Sequence, residues 1–217
     1  MFKKFLLLVS AGLMAIGPAV AADKVKIGFV TTITTPAGVI GKDMVDAVNL
    51  AMEDIGGKMA GLDVELIVED DGFKPAIGKQ KTDKLVKQDK VQFVTGFIWS
   101  HVLLASQKSA LGAGKFLISS NAGPSQMAGK LCHKNFFSTS WQNDQTPMAM
   151  GEVLNLNNVK SLYVMAPNYA AGKNMVAGVT RTFKGKIVGK DLTKWGKDAP
   201  VSYTHLRAHE TDSYLVC

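Results

Sequence analysis

The sequence predicts an α/β protein in which strands and helices alternate to form doubly wound parallel sheets. Short apolar runs with the period-two alternation of strands are interspersed with segments whose apolar residues recur at helical spacing. Glycine- and proline-rich turns separate these segments, which is the order typical of parallel strands joined by crossover helices. A hydrophobic fraction of 47% and a charged fraction of 20% exclude a disordered chain.

The first α/β lobe is predicted over residues 22–144. Its first strand alternates apolar and polar residues, and the amphipathic helix that follows ends at Gly56 and Gly57. Pro75 stands where a helix can begin without losing a hydrogen bond. The predicted elements are strands at residues 24–30, 62–68, 91–95, 115–119 and, less regular, 135–139, with a loop at 31–41 and helices at 44–55, 75–87 and 100–111.

A partial second lobe is predicted over residues 145–200. The predicted order is a helix at 146–156, a strand at 161–165, a loop at 166–172, a helix at 173–183 and a strand at 186–189. Because parallel strands of such sheets bind ligands at their carboxyl ends, functional residues are expected in the loops that follow the strands.

Residues 1–21 are predicted to be a secretory signal peptide. Lys3 and Lys4 precede an apolar run at residues 5–16, and small residues then suit cleavage before Ala22. The run is shorter than the roughly 20 residues that span a bilayer. We therefore expect a soluble mature protein in the periplasm.

Residues 201–217 break the alternating pattern and are similar to translated sequencing-adapter sequence. We expect this segment to be a foreign tail. His205 and His209 lie four residues apart, as metal ligands on a helix can, but in such a tail they are not expected to bind metal. We expect the second lobe to be incomplete, so that the apolar surface of residues 161–189 lacks packing partners and this chain binds ligand weakly and aggregates.

Motifs of catalysis are missing from the sequence. It contains no G-x-S-x-G, H-E-x-x-H, C-x-x-C or G-x-G-x-x-G motif and no complete P-loop, and we expect neither an enzyme nor a bound cofactor or metal. Glu69, Asp70 and Asp71 could hold a metal ion after their strand, but loop capping is the favoured interpretation. Cys132 is expected to be a small buried residue or half of a disulfide.

The net charge of +7 comes mainly from lysines scattered among acidic residues. This distribution favours a solvated surface over a nucleic-acid site, because no basic cluster is interleaved with aromatic residues.

Candidate ligand-binding residues follow three of the predicted strands. Their hydroxyl groups, backbone amides and aromatic faces suit the reversible capture of a small polar or aromatic ligand. An ordinary turn after the fourth strand and a core position for Trp99 remain the alternative. The candidates are Trp99, Ser100, Asn121, Ala122, Gly123 and Tyr169.

At these residues the sequence resembles the type I periplasmic binding proteins of the branched-chain amino-acid (leucine-binding) family. The resemblance covers residues 24–200 and rests on the blocks KVKIGFVTTITTPAGVIGKDMVDAVNLAMEDI, ELIVEDDGFKPAIGKQKTDKLV, VQFVTGFIWS, FLISSNAGPS and NFFSTSWQND. It implies two α/β lobes that close on a ligand by hinge motion. It also implies that Ser100 grips a ligand carboxylate, that residues 121–123 hold the head group and that Tyr169 closes from the second lobe.

The function implied by this resemblance is that of a monomeric substrate-binding protein of an ABC importer. It would present a branched-chain amino acid or related small carboxylate to the permease in the inner membrane. Gly123 departs from the family, in which a hydroxyl residue is common there, while Trp99 and Trp141 add aromatic surface. An aromatic-acid receptor or a ligand-sensing module of the same fold is therefore an alternative, and a secreted α/β hydrolase is the alternative from another class.

Overall fold

The computed structural model describes residues 24–194 and the backbone of residues 214–216. The predicted signal peptide and most of the predicted tail lie outside these residues. The first sheet contains β1 (Val25–Thr31), β2 (Lys58–Met59), β3 (Leu62–Asp70), β4 (Phe93–Gly96), β5 (Phe116–Ser119) and β6 (Phe136–Ser138). Its helices are α1 (Gly38–Asp54), α2 (Pro75–Lys87) and α3 (Ser100–Leu111).

The strands of this sheet lie in the order β2-β3-β1-β4-β5-β6, and every neighbouring pair except β2 and β3 is parallel. The central strand β1 pairs with both β3 and β4, so that the loops after these three strands emerge at one edge. Helices α2 and α3 pack against each other and supply much of the core. The core includes Val30, Leu85, Val94, Phe97, Leu103 and Leu117.

A second sheet follows, with strands in the order β8-β7-β9, all parallel. It contains β7 (Ser161–Pro167), β8 (Lys186–Thr193) and β9 (Tyr214–Val216), with α4 (Gln145–Leu156) and α5 (Ala170–Thr182) packed together. Its smaller core is formed by Leu154, Leu162, Val164, Val179 and Phe183. The two sheets confirm the predicted α/β class, and the division into lobes at residue 144 stays a prediction.

Two helices begin earlier than the sequence predicts. Helix α1 begins at Gly38, inside the expected loop, because Gly38 and Gly41 have no side chain to overlap the carbonyl groups of Ile33 and Thr32. Helix α5 begins at Ala170 rather than at residue 173. There Gly172 lies directly against the carbonyl of Pro167, so the first turn packs on the end of β7.

Other parts of the chain also differ from expectation. Cys132 is exposed, so its interpretation as a small buried residue is wrong; it lies in a surface loop after a short 3₁₀ helix, Ser125–Ala128. The backbone of β9, in the segment expected to be foreign, pairs with β7. Within the described residues, no helix is both long and apolar enough to cross a membrane.

Candidate ligand-binding site

The six predicted site residues lie where strands end and helices begin. Trp99 precedes the first residue of α3, Ser100, and Tyr169 precedes the first residue of α5. Residues 121–123 follow β5, the neighbour of β4 in the sheet. The sequence therefore places all six at carboxyl ends of parallel strands, the edge at which such folds bind ligands.

Four rings, three from loops and that of His101 from the first turn of α3, form an aromatic cluster, made of Phe73, Trp99, His101 and Tyr169. Phe73 lies 4.8 Å from both Trp99 and His101, measured between ring centroids. Tyr169 lies 6.2 Å from Trp99 and 5.5 Å from His101, so a ring from the second unit packs edge-on against rings of the first. Neither Phe73 nor His101 is among the six predicted site residues, because a lone histidine is ordinarily a surface or packing residue and nothing in the local sequence indicates a role for Phe73.

Trp99 is both a core residue and a member of this cluster. Its side chain is only 5% exposed, and its indole Nε1–H donates to Thr32 Oγ1 over 2.8 Å. Thr32 in turn donates to the carboxylate of Asp71. Asp71 Oδ1 also accepts the backbone N–H of Phe73 at 2.8 Å. The rings are thus held by buried hydrogen bonds as well as by packing.

Ser100 is buried and accepts a hydrogen bond. Asn143 Nδ2 donates to Ser100 Oγ over 2.9 Å, which directs the hydroxyl hydrogen of Ser100 away from Asn143. Ser100 opens the first turn of α3, where backbone N–H groups lack helical partners and the helix dipole is positive. This environment suits an anionic group.

The loop at residues 121–123 is held on two sides. The backbone N–H of Ala122 donates to the carbonyl of Phe97, and Asn121 Nδ2 donates to the carbonyl of Ile98, both over 2.9 Å. On the other side, the carbonyl of Gly123 accepts the N–H of Asn143 at 2.7 Å. The loop therefore lies beside both the end of β4 and the segment that leads into α4.

Helix α5 is linked to the first unit through side chains. Asn174 Oδ1 accepts the backbone N–H of Ser125 at 3.2 Å and Asn143 Nδ2 at 3.3 Å. Arg181 pairs with the buried carboxylate of Asp144 at 3.2 Å. A chain of hydrogen bonds thus runs from Ser100 through Asn143 to α5.

Trp141 lies outside the aromatic cluster, although it is expected from the sequence to add aromatic surface together with Trp99. Its side chain is 53% exposed, and it lines a cavity of about 210 Å³ together with Gly123. A Cβ atom at Gly123 would overlap the carbonyl oxygen of Trp141. The hydroxyl residue that the family resemblance implies at this position therefore has no room here.

Burial shifts the ionisation of three groups at the site. It raises the pKa of Asp71, against the hydrogen bonds from Thr32 and the Phe73 N–H. It lowers the pKa of His101, against the opposing influence of the Phe73 carbonyl and Asp71, so this ring is neutral at pH 7. It also raises the pKa of Tyr169.

Asp70 at the end of β3 and Asp71 directly after it hold the loop in place. Asp70 Oδ1 accepts the N–H groups of Ile33 and Gly72 at 2.9 and 3.0 Å, and Asp71 accepts that of Phe73, which confirms the loop-capping interpretation. Glu69 pairs with Lys81 and Lys84 at 2.7 Å each. Across the residues that the structure describes, no group of three or more His, Cys, Asp and Glu side chains could hold a metal ion.

Comparison with known proteins identifies the family. The sequence profile of the periplasmic binding protein family matches residues 24–215. No curated protein sequence matches the chain significantly.

Solved structures share the fold. A solute-binding protein of an ABC transporter from Rhodopseudomonas palustris BisB5, in complex with 3,4-dihydroxybenzoic acid, has a TM-score of 0.81 at 23% identity, covering 89% of this chain and 54% of that one. A solute-binding protein from R. palustris in complex with benzoate has a TM-score of 0.81 at 25% identity, with coverages of 90% and 56%. A branched-chain amino acid transporter substrate-binding protein from Streptococcus pneumoniae, in complex with isoleucine, has a TM-score of 0.77 at 23% identity, with coverages of 89% and 57%.

The chain spans about half the length of these solved structures. Its parallel sheets, the order of their strands and the family match agree with one another. The chain belongs to the family of type I periplasmic binding proteins.

Proposed function

We propose that this chain is the substrate-binding component of an ABC importer and captures a small carboxylate without catalysing a reaction. It would act as a monomer in the periplasm, after removal of residues 1–21, and present its ligand to a permease in the inner membrane. The similar solved structures support this proposal, since those named above are binding proteins of transporters.

The observation that carries the proposal is the meeting of two helix N-termini at the aromatic cluster. Helix α3 begins at Ser100 and α5 at Ala170, and the rings that precede them, Trp99 and Tyr169, are 6.2 Å apart. Both first turns offer backbone N–H groups and the positive end of a helix dipole, which suit a carboxylate. Because the two helices come from different α/β units, a ligand bound to both favours the closed arrangement.

The residue roles belong to the same proposal. Ser100 would donate to the ligand carboxylate, residues 121–123 would hold the head group, and Tyr169 would close over the ligand. In this role Ser100 is already oriented by Asn143, whose amide occupies the acceptor side of the hydroxyl.

The ligand is proposed to be a branched-chain amino acid or a related small carboxylate. An aromatic acid is the second candidate, favoured by the aromatic cluster, because flat rings stack on Trp and Tyr faces. A ligand-sensing module would use the same site but report to a regulator instead of a permease.

Ligand-observed NMR on the 217-residue chain tests the proposal, since saturation transfer detects weak binding. Isoleucine and benzoate are the probes, alone and in competition. We expect saturation transfer to at least one probe, lost in Ser100→Ala and retained in Ser161→Ala, a control at the opposite end of β7. Benzoate displacing isoleucine would favour the aromatic acid, whereas no transfer to either probe would contradict the proposed function.

A further inference from the structure

A directed chain of buried hydrogen bonds ends at the aromatic cluster. The indole N–H of Trp99 can only donate, so Thr32 Oγ1 is its acceptor, at 2.8 Å. The hydroxyl of Thr32 has a single hydrogen, and this hydrogen points to Asp71. Asp71 also accepts the N–H of Phe73 at 2.8 Å. The chain therefore has one direction, from the Trp99 ring to the Asp71 carboxylate.

The members of this chain come from three loops and are fully or almost fully buried. Thr32 and Asp71 are 0% exposed and Trp99 is 5% exposed. They follow β1, β3 and β4, which are neighbours in the sheet. A hydrogen bond to a charged acceptor is stronger than a neutral one, and more so away from water. The chain thus ties three strand ends together next to the rings.

Asp71 also restrains the backbone that carries the ring of Phe73. Phe73 has a backbone φ of +66°, a left-handed conformation that a bulky residue adopts only when its surroundings hold it there. The bond from its N–H to Asp71 is one such restraint. As a result, the rings of Phe73 and Trp99 meet at 88° with centroids 4.8 Å apart.

We infer that Thr32 and Asp71 are positioning residues of the ligand site, which fix the orientation of the Trp99 indole that faces Tyr169. This inference rests on the proposed function. Its physical reason is that the last torsion of a Trp side chain is broad and roughly two-fold, so apolar packing discriminates weakly between orientations. A hydrogen bond at Nε1 selects one of them.

The first test measures the environment and the motion of the Trp99 ring by its fluorescence. Trp141→Phe and Trp195→Phe leave Trp99 as the single tryptophan of the chain. In this background, Thr32→Val removes the hydroxyl while keeping the side-chain shape, and Thr32→Ser restores the hydroxyl. We expect a shifted emission maximum and faster ring motion, from fluorescence anisotropy decay, in the Val variant only. Identical emission in both variants would overturn the inference.

The second test asks whether the effect on ligand passes through Trp99. Benzoate affinity is measured by ligand-observed NMR for Thr32→Val with Trp99 present and with Trp99→Phe. We expect about tenfold weaker binding in the first case, the size of one hydrogen bond, and no further loss in the second. A merely structural Thr32 would weaken binding in both backgrounds, which contradicts the inference.

Asp71→Asn is a milder variant that can be used if Thr32→Val fails to fold. In this variant, the amide oxygen still accepts the hydrogen bond from Thr32, but the negative charge is lost. We expect its emission to shift in the same direction as that of Thr32→Val, but less, and no shift would count against the inference. If the unaltered chain binds neither benzoate nor isoleucine, the proposed function fails. The emission measurements still decide whether Thr32 and Asp71 orient the ring.

Discussion

Gly123 has no room for a side chain, so the hydroxyl residue that the family resemblance implies at this position does not fit here. A Cβ atom would overlap the carbonyl oxygen of Trp141, which is backbone and cannot rotate away. The overlap would separate Gly123 from Asn143, whose N–H it accepts at 2.7 Å. We expect Gly123→Ser to lower the free energy of unfolding by about 1–3 kcal/mol, measured by urea denaturation.

Ala128→Ser is the matched control for this change. Ala128 is exposed at the end of the short 3₁₀ helix that follows the same loop, so a hydroxyl there meets solvent. Its free energy of unfolding should equal that of the unaltered chain. A Gly123→Ser chain as stable as this control would show that the loop can move away from Trp141.

His101 should make stability fall as the pH decreases below about 6.5. Burial lowers its pKa from 6.5, so the folded chain binds fewer protons than the unfolded chain as the pH passes below that value. The nearby carboxyl of Asp71 acts in the opposite sense, because its raised pKa adds stability as the pH falls further. We expect urea midpoints to decrease over this range and His101→Gln to reduce the decrease.

His133→Gln is the comparison for this pH dependence, since His133 lies outside the aromatic cluster. A smaller slope of stability against pH in the His101 variant than in the His133 variant would assign this pH dependence to the aromatic cluster. If the two variants have the same slope, burial of the His101 ring does not control it.

At the scale of elements, small residues and side-chain amides position α5. Gly172 and Gly178 let its backbone approach Pro167 and Asp144, where any Cβ atom would overlap main-chain atoms. Asn174 then links it to Ser125 and Asn143. The start of α5 was placed too late from the sequence because these close approaches involve residues that are distant along the chain.

Removing the Asn174 link should loosen α5 from the first unit. Asn174→Ala deletes an acceptor for two N–H groups, one on the backbone of Ser125 and one on Asn143. We expect a loss of about 1–2 kcal/mol in the free energy of unfolding. Faster hydrogen exchange at the Ser125 amide, read by NMR, should accompany it.

Lys173→Ala is the control on the same helix, because Lys173 is exposed. It should leave both stability and exchange at Ser125 unchanged. Asn174→Ala combined with Asn143→Ala should cost less than the sum of the single changes, because the two residues share one hydrogen bond. Strict additivity would contradict their coupling.

At the scale of the whole molecule, the first sheet exposes a row of aromatic side chains. Phe116 and Phe137 are 42% and 50% exposed, and their ring centroids lie 6.1 Å apart. Parallel sheets are ordinarily covered on both faces, and exposed apolar patches promote association. These two rings add an exposed apolar surface in the first sheet to the one expected at residues 161–189 of the second lobe.

Phe137→Glu should therefore reduce self-association. We expect sedimentation velocity to show an average mass that rises with concentration for the unaltered chain and rises less for this variant. Lys134→Gln, which changes the net charge equally at an exposed position, is the control and should behave like the unaltered chain. Equal association of both variants would exclude this surface as the contact.

The sequence was sufficient to predict the α/β class, the order of the elements and the strand ends that carry the candidate site. Helix α3 begins and ends where the pattern predicts, because a continuous amphipathic segment carries its own signal. The sequence missed Phe73 and His101, since nothing local indicates that the loop after β3 and the first turn of α3 bring these rings into contact. Trp99 shows the same limit, because its burial confirms the core interpretation and its contact with Tyr169 comes from a distant loop, while its role in the ligand site stays a prediction.

The sequence by itself determined what each segment becomes, because apolar periodicity and turn residues act over a few neighbouring positions. Only the tertiary structure decided which residues meet at the strand ends. Thr32 bonds to Asp71, 39 residues away, and to Trp99, 67 residues away. Such contacts depend on strand order and on burial of the whole sheet, and no short stretch of sequence encodes them.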